Sequence, residues 1–313
     1  MLAAQRTFHL WHGDTVVFAG SCPILLCMPK YKESKEPMAR TAPSLFSFPG
    51  FHYLKTDVST NWADFSDLTR LSFFFDLDGT LLDLAPTPDA VRVEAGLQEN
   101  LELLSKRTSG AVAIVTGRSI RFVDQLFPRH SFFVAGLHGA EFRFGSEKSS
   151  TYEMAHSNAE RHDEWYLTAR DMAKGEADHL EGVIFEDKGG AFALHYRLAP
   201  DKEEAVRHIM TAAAESAGAA YSLQGGKFVF ELKPAGSDKA QALRRFMRVA
   251  PFQSRFPVAA GDDLTDEAMF LEANSMGGAS IRVGMHGVGN KTNASIVTQS
   301  PEQFRCWIGR LCK

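Results

Sequence analysis

The chain reads as an α/β protein: a parallel sheet built from strand–helix–strand units and interrupted once by an α+β insert. Three observations carry that reading. Short apolar runs alternate with helical stretches from Leu71 to about residue 140 and again from Asp238 onward, the pattern of a parallel sheet. Between them the texture changes to paired, alternating strands and polar helices. The apolar runs end in turns rich in Asp, Thr, Arg and His, and the carboxyl ends of strands are where open α/β sheets bind ligands.

Each element follows from local pattern. Leu71–Phe75 is an apolar run, read as a buried strand. A helix is expected around Val91–Arg107, because Leu97, Leu101 and Leu104 share one face. The strand Ala111–Val115 ends in Thr116-Gly117-Arg118-Ser119, and a helix near Ile120–Leu126 follows. The strand Phe132–Ala135 runs into Gly136-Leu137-His138-Gly139. Glu141–Thr151 alternates like a hairpin, and a polar helix is expected at Ala159–Ala173. Val183–Glu186 and Ala191–Arg197 pair across the turn Asp187–Gly190; a helix at Lys202–Ala217 and a strand at Lys227–Leu232 complete the insert. The helix Asp238–Val249 and the strands Val258–Ala260 and Ile281–Val283 resume the parallel pattern. A Rossmann-like core, residues 69–140 and 234–313, is thus expected to carry a cap at 141–233.

Composition narrows the class. At 313 residues with 44% hydrophobic and 23% charged residues, the chain suits a soluble globular protein with a sizeable core. A net charge of −4 and the lack of any Lys/Arg-rich run give no footprint for nucleic acid. Val16–Met28 is apolar but carries Pro23 and follows Asp14, which suits neither a signal peptide nor a membrane span. Lys30–Ser47, with Pro37 and Pro43, reads as a linker. Residues 1–68 are therefore expected to be a poorly ordered or loosely docked extension, dispensable for catalysis, with an upstream start codon as one account of its presence. Cys22, Cys27, Cys306 and Cys312 match no zinc or redox spacing, so reduced thiols and a cytoplasmic location are expected.

The chemistry concentrates in four places. Asp76 and Asp78 follow the first strand and point to the same side. Two such carboxylates repel each other, so a proton or a hard cation should neutralise one. That suits an Mg²⁺-assisted site where one aspartate attacks and the other handles protons. Thr116 and the backbone after it offer a hydroxyl and N–H groups at a helix start, a cradle for phosphate. Gly261-Asp262-Asp263-Leu264-Thr265-Asp266-Glu267 is an acidic run directly after an apolar strand. Helix N-terminal charge accounts for Asp266 and Glu267, but not for the others; Asp262 is the expected direct metal ligand, with Asp263 and Asp266 supporting. Lys239, opening the helix that precedes this run and its strand, is a candidate to neutralise the nucleophile.

These four segments, taken in chain order and with an α+β cap between the second and third, resemble the haloacid dehalogenase superfamily, and within it the trehalose-6-phosphate phosphatases. The likeness covers roughly residues 70–300. Gly136-Leu137-His138-Gly139-Ala140-Glu141, the Thr-Asp-Glu extension of the acidic run, Glu186-x-Lys188 with His195-Tyr196-Arg197, and Lys227-x-x-x-Glu231 are similar to segments of that family. Ala240 after Lys239, and Thr116 in place of a more usual serine, depart from its pattern. The resemblance implies Asp76 as nucleophile, Asp78 as general acid and base, and Thr116 and Lys239 on the phosphoryl oxygens. It implies Mg²⁺ at Asp76, the Asp78 carbonyl and Asp262. Substrate contacts fall to Gly117, Arg118, His138, Gly139, Glu186, Lys188, His195, Arg197, Lys227 and Glu231. The implied substrate is trehalose 6-phosphate, with a functional link to trehalose-6-phosphate synthase and no membrane or nucleic-acid partner. A phosphatase for another sugar phosphate, and an inactive sugar-phosphate sensor or regulatory subunit of the synthase, stand as alternatives.

Overall fold

The computed structural model describes residues 46, 48–54, 67–128, 132–145, 151–154, 164–226, 228–284 and 292–313, all within one compact unit, Ala42–Lys313. In chain order the first strands are β1 (Phe51–Tyr53), β2 (Leu71–Phe75), β3 (Val112–Val115), β4 (Phe133–Gly136), β5 (Glu141–Phe144) and β6 (Thr151–Met154). Next come β7 (Ile184–Asp187), β8 (Phe192–His195), β9 (Tyr221–Gly226) and β10 (Val229–Pro234), then β11 (Phe256–Gly261), β12 (Ala279–Val283) and β13 (Ile296–Thr298). The helices are α1 (Leu97–Arg107), α2 (Ile120–Leu126), α3 (Glu164–Ala177), α4 (Glu203–Ala217), α5 (Lys239–Phe246), α6 (Glu267–Ser275) and α7 (Pro301–Leu311).

Among these, nine strands form one sheet in the order β1-β13-β12-β11-β2-β3-β4-β5-β6, and β7-β8-β10-β9 form a second, antiparallel one. The run from β13 to β4 is parallel throughout. The central strand β2 explains the layering. Its alternation sends Phe73 and Phe75 to one face, where Phe304 and Trp307 of α7 cover them, and Phe74 to the other, against Phe246 and Phe252. All five β2 residues are buried, as a strand roofed on both sides must be. Side-chain caps start the helices that matter: Ser119 accepts from Phe122 N, Asp238 from Gln241 N and Ser300 from Gln303 N.

Helices cover the second sheet on one side only. Phe192, Leu194, Phe230 and Leu232 face α3 and α4 and pack on Tyr166, Val206 and Met210. The alternate residues of the same strands, including Glu186, Ala193, His195 and Glu231, are left on the opposite face.

Three features differ from the sequence expectation. The hairpin β5–β6 continues the large sheet through β4, so the core's sheet runs past residue 141 and the insert's own sheet begins only at β7. Part of the expected N-terminal extension is structural: β1 pairs antiparallel with β13, and Phe46 and Phe51 each lie 5.5 Å from Trp307, ring centre to ring centre. Strand β9, ending in two glycines, carries too little apolar alternation to be read from sequence; its ladder to β10 specifies it. Among the described residues, no helix is long and apolar enough to cross a membrane.

The β1 segment yields a direct test. Phe46 and Phe51 are 0% and 8% exposed, and burying a phenylalanine is worth about 1.5–3 kcal/mol. A chain starting at Asp67 should therefore lose roughly 3–6 kcal/mol relative to one starting at Ala42, by denaturant titration. Equal stability of the two would show that this segment contributes nothing to the core.

Candidate active site

Strands β2, β3, β4 and β11 lie side by side and deliver their carboxyl-end turns to one cavity of about 830 Å³, lined by Asp76, Asp78, Thr116, Arg118, Lys239 and Asp262 among others. The cluster at its floor is tight. Lys239, 3% exposed, donates to Asp76 Oδ1 at 2.6 Å and to Asp266 Oδ1 at 2.7 Å. Asp76, Asp262 and Asp266 have carboxylate oxygens within 4.8 Å of one another. Asp266 is fully buried and its second oxygen accepts from the backbone N–H groups of Asp262 and Asp263. Thr80 Oγ1 reaches Asp76 Oδ2 at 3.4 Å.

Charge in this cluster is out of balance. Burial, then repulsion from Asp266 and Asp78, pushes the Asp76 carboxyl up to about 7 despite Lys239. Burial, then repulsion from Asp76, Asp266 and Asp263, raises Asp262 well above the usual carboxylate range. Burial alone would strip the Lys239 proton, but Asp266 and Asp76 outweigh it and hold the ammonium charged. Three carboxylates facing one ammonium are a hard-oxygen donor set in need of positive charge, the composition a divalent cation fits. The backbone is shaped for that crowding: at Gly79, with φ +77°, a Cβ would sit 2.2 Å from Asp262 Oδ2.

Two side chains of the expected ligand set, Asp266 and Asp78, are placed by the fold, with the Asp78 carbonyl still the contact expected of that residue. Asp266 stands in the cluster itself, and Asp263 caps the short turn of Leu264–Asp266 and lines the cavity. The carboxylate of Asp78 turns away from the trio and is gripped by Arg118 through Nε at 2.8 Å and Nη2 at 3.0 Å. The spacing of two aspartates shows that they share a side, but a guanidinium 40 residues downstream is invisible to it.

Arg118 also joins the two sheets. Its Nη1 reaches Glu186 Oε1 at 2.9 Å, so one side chain links the β2 turn to β7. From there a charged network runs across the second sheet. Glu186 Oε2 is 2.8 Å from His195 Nε2, Lys188 Nζ donates to Glu231 Oε2 at 2.6 Å, and His138 Nε2 lies 3.5 Å from the same oxygen. Burial alone would raise the Glu186 pKa, yet His195, Lys188 and Arg118 together hold it at about 2. Glu231 is likewise held well below the carboxylate range, by Lys188 and His138 against its burial. Burial pushes His138 down. Ala193 is the register partner of both Glu186 and Glu231, and its small side chain leaves space between them. Glu231 Oε1 is buried and has no hydrogen-bond partner among the described residues.

The remaining predicted residues divide cleanly. Thr116 is buried, lines the cavity and accepts from Arg118 N through its hydroxyl. Gly117 lines it too, and a Cβ there would lie 2.6 Å from His138 Nε2, so only glycine admits the imidazole. His138 holds its place in left-handed backbone, φ 56°, with its N–H on Thr116 O. Arg197 lines the cavity with its guanidinium over Phe228. Gly139 does not line it; its α-carbon faces Asp238 O instead. Lys227 falls outside the described residues. Sequence reading missed Arg282, on the cavity wall and paired with Glu267 at 2.7 Å; the Thr-Asp-Glu extension was its only trace.

A parallel sheet layered by helices, an Asp-x-Asp turn on its central strand, a lysine and an acidic run converging on that turn, and a second α+β unit opposite define a protein of the haloacid dehalogenase class. Residues 74–302 match the trehalose-phosphatase family. The chain is 45% identical over 219 residues to a probable trehalose-phosphate phosphatase of Sinorhizobium fredii, a span of 70% of this chain and 80% of that one. It is 39% identical over 220 residues to the trehalose-6-phosphate phosphatase of Escherichia coli, covering 69% and 78%. Among solved structures, a trehalose-6-phosphate phosphatase related protein superposes with a TM-score of 0.64 at 26% identity, over 77% of this chain and 96% of that one. The chain belongs to the trehalose-phosphatase family.

The charge surplus is testable without turnover. Divalent cation should raise the melting temperature of the wild type and chelator should lower it. Asp262→Asn relieves repulsion, so in chelator it should melt higher than the wild type, while losing most of the cation-induced rise. A cation response equal to the wild type's in Asp262→Asn would remove that residue from the metal site.

Proposed function

We propose that the chain is a Mg²⁺-dependent phosphatase that hydrolyses trehalose 6-phosphate to trehalose and phosphate. One arrangement carries this reading: the Asp76–Lys239–Asp266 cluster faces, across a single cavity, the charged groups Glu186, Lys188, His195 and Glu231. The first suits phosphoryl transfer, and the second suits a molecule rich in hydroxyl groups. Family membership supplies the choice of sugar.

Asp76 is the nucleophile. Its carboxylate attacks phosphorus in line, the bond to the sugar oxygen breaks, and an aspartyl phosphate forms. Asp78 gives a proton to the departing oxygen and later takes one from the water that hydrolyses the intermediate. Lys239 and the Thr116 hydroxyl hold phosphoryl oxygens. Asp76, Asp262 and Asp266 would hold Mg²⁺, which supplies positive charge to the phosphoryl oxygens when bound. Because Arg118 spans Asp78 and Glu186, sugar recognition and proton transfer share one positioning group. Residues 164–233 then act as the cap that selects the leaving group and excludes water.

Phosphate release across a panel of sugar phosphates decides the substrate. Trehalose 6-phosphate should exceed glucose 6-phosphate and sucrose 6-phosphate, and Asp76→Asn should abolish turnover with the melting temperature retained. Lys188→Ala and Glu231→Ala should each lower kcat/KM on trehalose 6-phosphate by roughly ten- to a hundredfold, the loss of one charged hydrogen bond. Hydrolysis of p-nitrophenyl phosphate should change little. Equal losses on both substrates would place Lys188 and Glu231 in the fold or the catalytic floor; a wild type that prefers sucrose 6-phosphate would overturn the substrate assignment.

A further inference from the structure

A second cavity, about 330 Å³, lies beside the segment that joins β10 to α5. None of its lining residues lines the catalytic cavity. Its wall carries Ser237, Gln241, Arg244, Arg245 and Arg248. Residues 241, 244 and 248 follow helical spacing and form one stripe along α5 and the turn after it. Arg244 is paired with Glu272, and Arg245 lies over the Phe142 ring at 4.3 Å. Arg248 is exposed and has no acidic partner among the described residues. The carboxylate of Asp238 is taken up by the N–H and Nε2 of Gln241. Three guanidiniums and no carboxylate line the groove, which makes it positive.

An independent feature points the same way. Ser237 is only 6% exposed, and its hydroxyl is buried without a hydrogen-bond partner among the described residues. Buried hydroxyls are normally satisfied, and an unpaired one on the wall of a cationic groove is a donor awaiting an acceptor. Helix dipole alone accounts for arginines at the end of α5, but not for this hydroxyl at its beginning.

We propose that this groove is a second anion site, which binds inorganic phosphate through the guanidiniums of Arg244 and Arg248, with Ser237 completing the donor set. Tetrahedral oxyanions suit such a set because each oxygen can accept from a separate N–H or O–H. The site also has a route to the catalytic floor. Ser237 O accepts from the ammonium of Lys233 on β10, and two residues later Lys239 begins α5 and holds Asp76. Phosphate in the groove would brace the segment between them.

Titration calorimetry of the full-length protein with inorganic phosphate, Mg²⁺ present, tests this. Wild type should bind one equivalent more than Arg244→Gln/Arg248→Gln, while phosphate inhibits p-nitrophenyl phosphate hydrolysis with the same constant in both. Arg248→Gln alone removes an exposed side chain without disturbing Glu272, and should weaken the second site by about tenfold. Ser237→Ala should weaken it by about fivefold. Unchanged stoichiometry and affinity in the double variant and in Arg248→Gln would overturn the proposal. An inhibition constant weakened in the double variant as far as the calorimetric affinity would overturn it too, since the phosphate lost would then be the one in the catalytic cavity.

Discussion

Everything at the site is organised by one buried contact, the ammonium of Lys239 between Asp76 and Asp266. Taking charged groups out of water is costly, and removing the Lys239 ammonium would leave the carboxylates uncompensated, typically at a cost of about 3–5 kcal/mol. The cluster persists because backbone also satisfies it, with two N–H groups on Asp266. Even so, one ammonium does not balance three carboxylates. That residual negative charge gives the pocket its affinity for cations, and it raises the proton affinity of Asp76 and Asp262.

The apolar framework makes this charge affordable. Phe73, Phe74 and Phe75 anchor β2 to both helical layers at once, so the next residue emerges from a rigid strand at the sheet's carboxyl edge. The stacked rings around Trp307 brace one layer and those around Phe246 the other. A side chain held on such a strand has little freedom to drift, which suits the in-line attack proposed for Asp76.

The second sheet works by the opposite rule. One face is ordinary core, but the other presents largely buried charges that neutralise each other in pairs. Arg118 draws that network to the catalytic turn. Under the proposed reaction, lost charge on this face is felt by the leaving group before it is felt by phosphorus, provided the fold survives.

Much of this was legible one segment at a time. Strand β2 and helix α2 stand where the apolar run Leu71–Phe75 and the stretch after Thr116-Gly117-Arg118-Ser119 place them. The Asp-x-Asp turn, the Thr116 turn and the acidic run reach one cavity, because each follows a parallel strand and the carboxyl ends of parallel strands share an edge; Lys239 joins them from the start of α5, after the antiparallel strand β10. Glu186 and His195 likewise stand on strands whose alternation could be counted. What required the tertiary structure was pairing between distant segments. Nothing near Asp78 announces Arg118, nothing in Asp266 alone separates a helix cap from a member of the carboxylate trio, and β1 becomes a strand only because β13 offers an edge to it. Local pattern determined which residues carry chemistry and which side of a strand they occupy, because side-chain direction is set by backbone geometry. Partnership was decided by folding, because it depends on which elements the core brings within a few ångströms of each other.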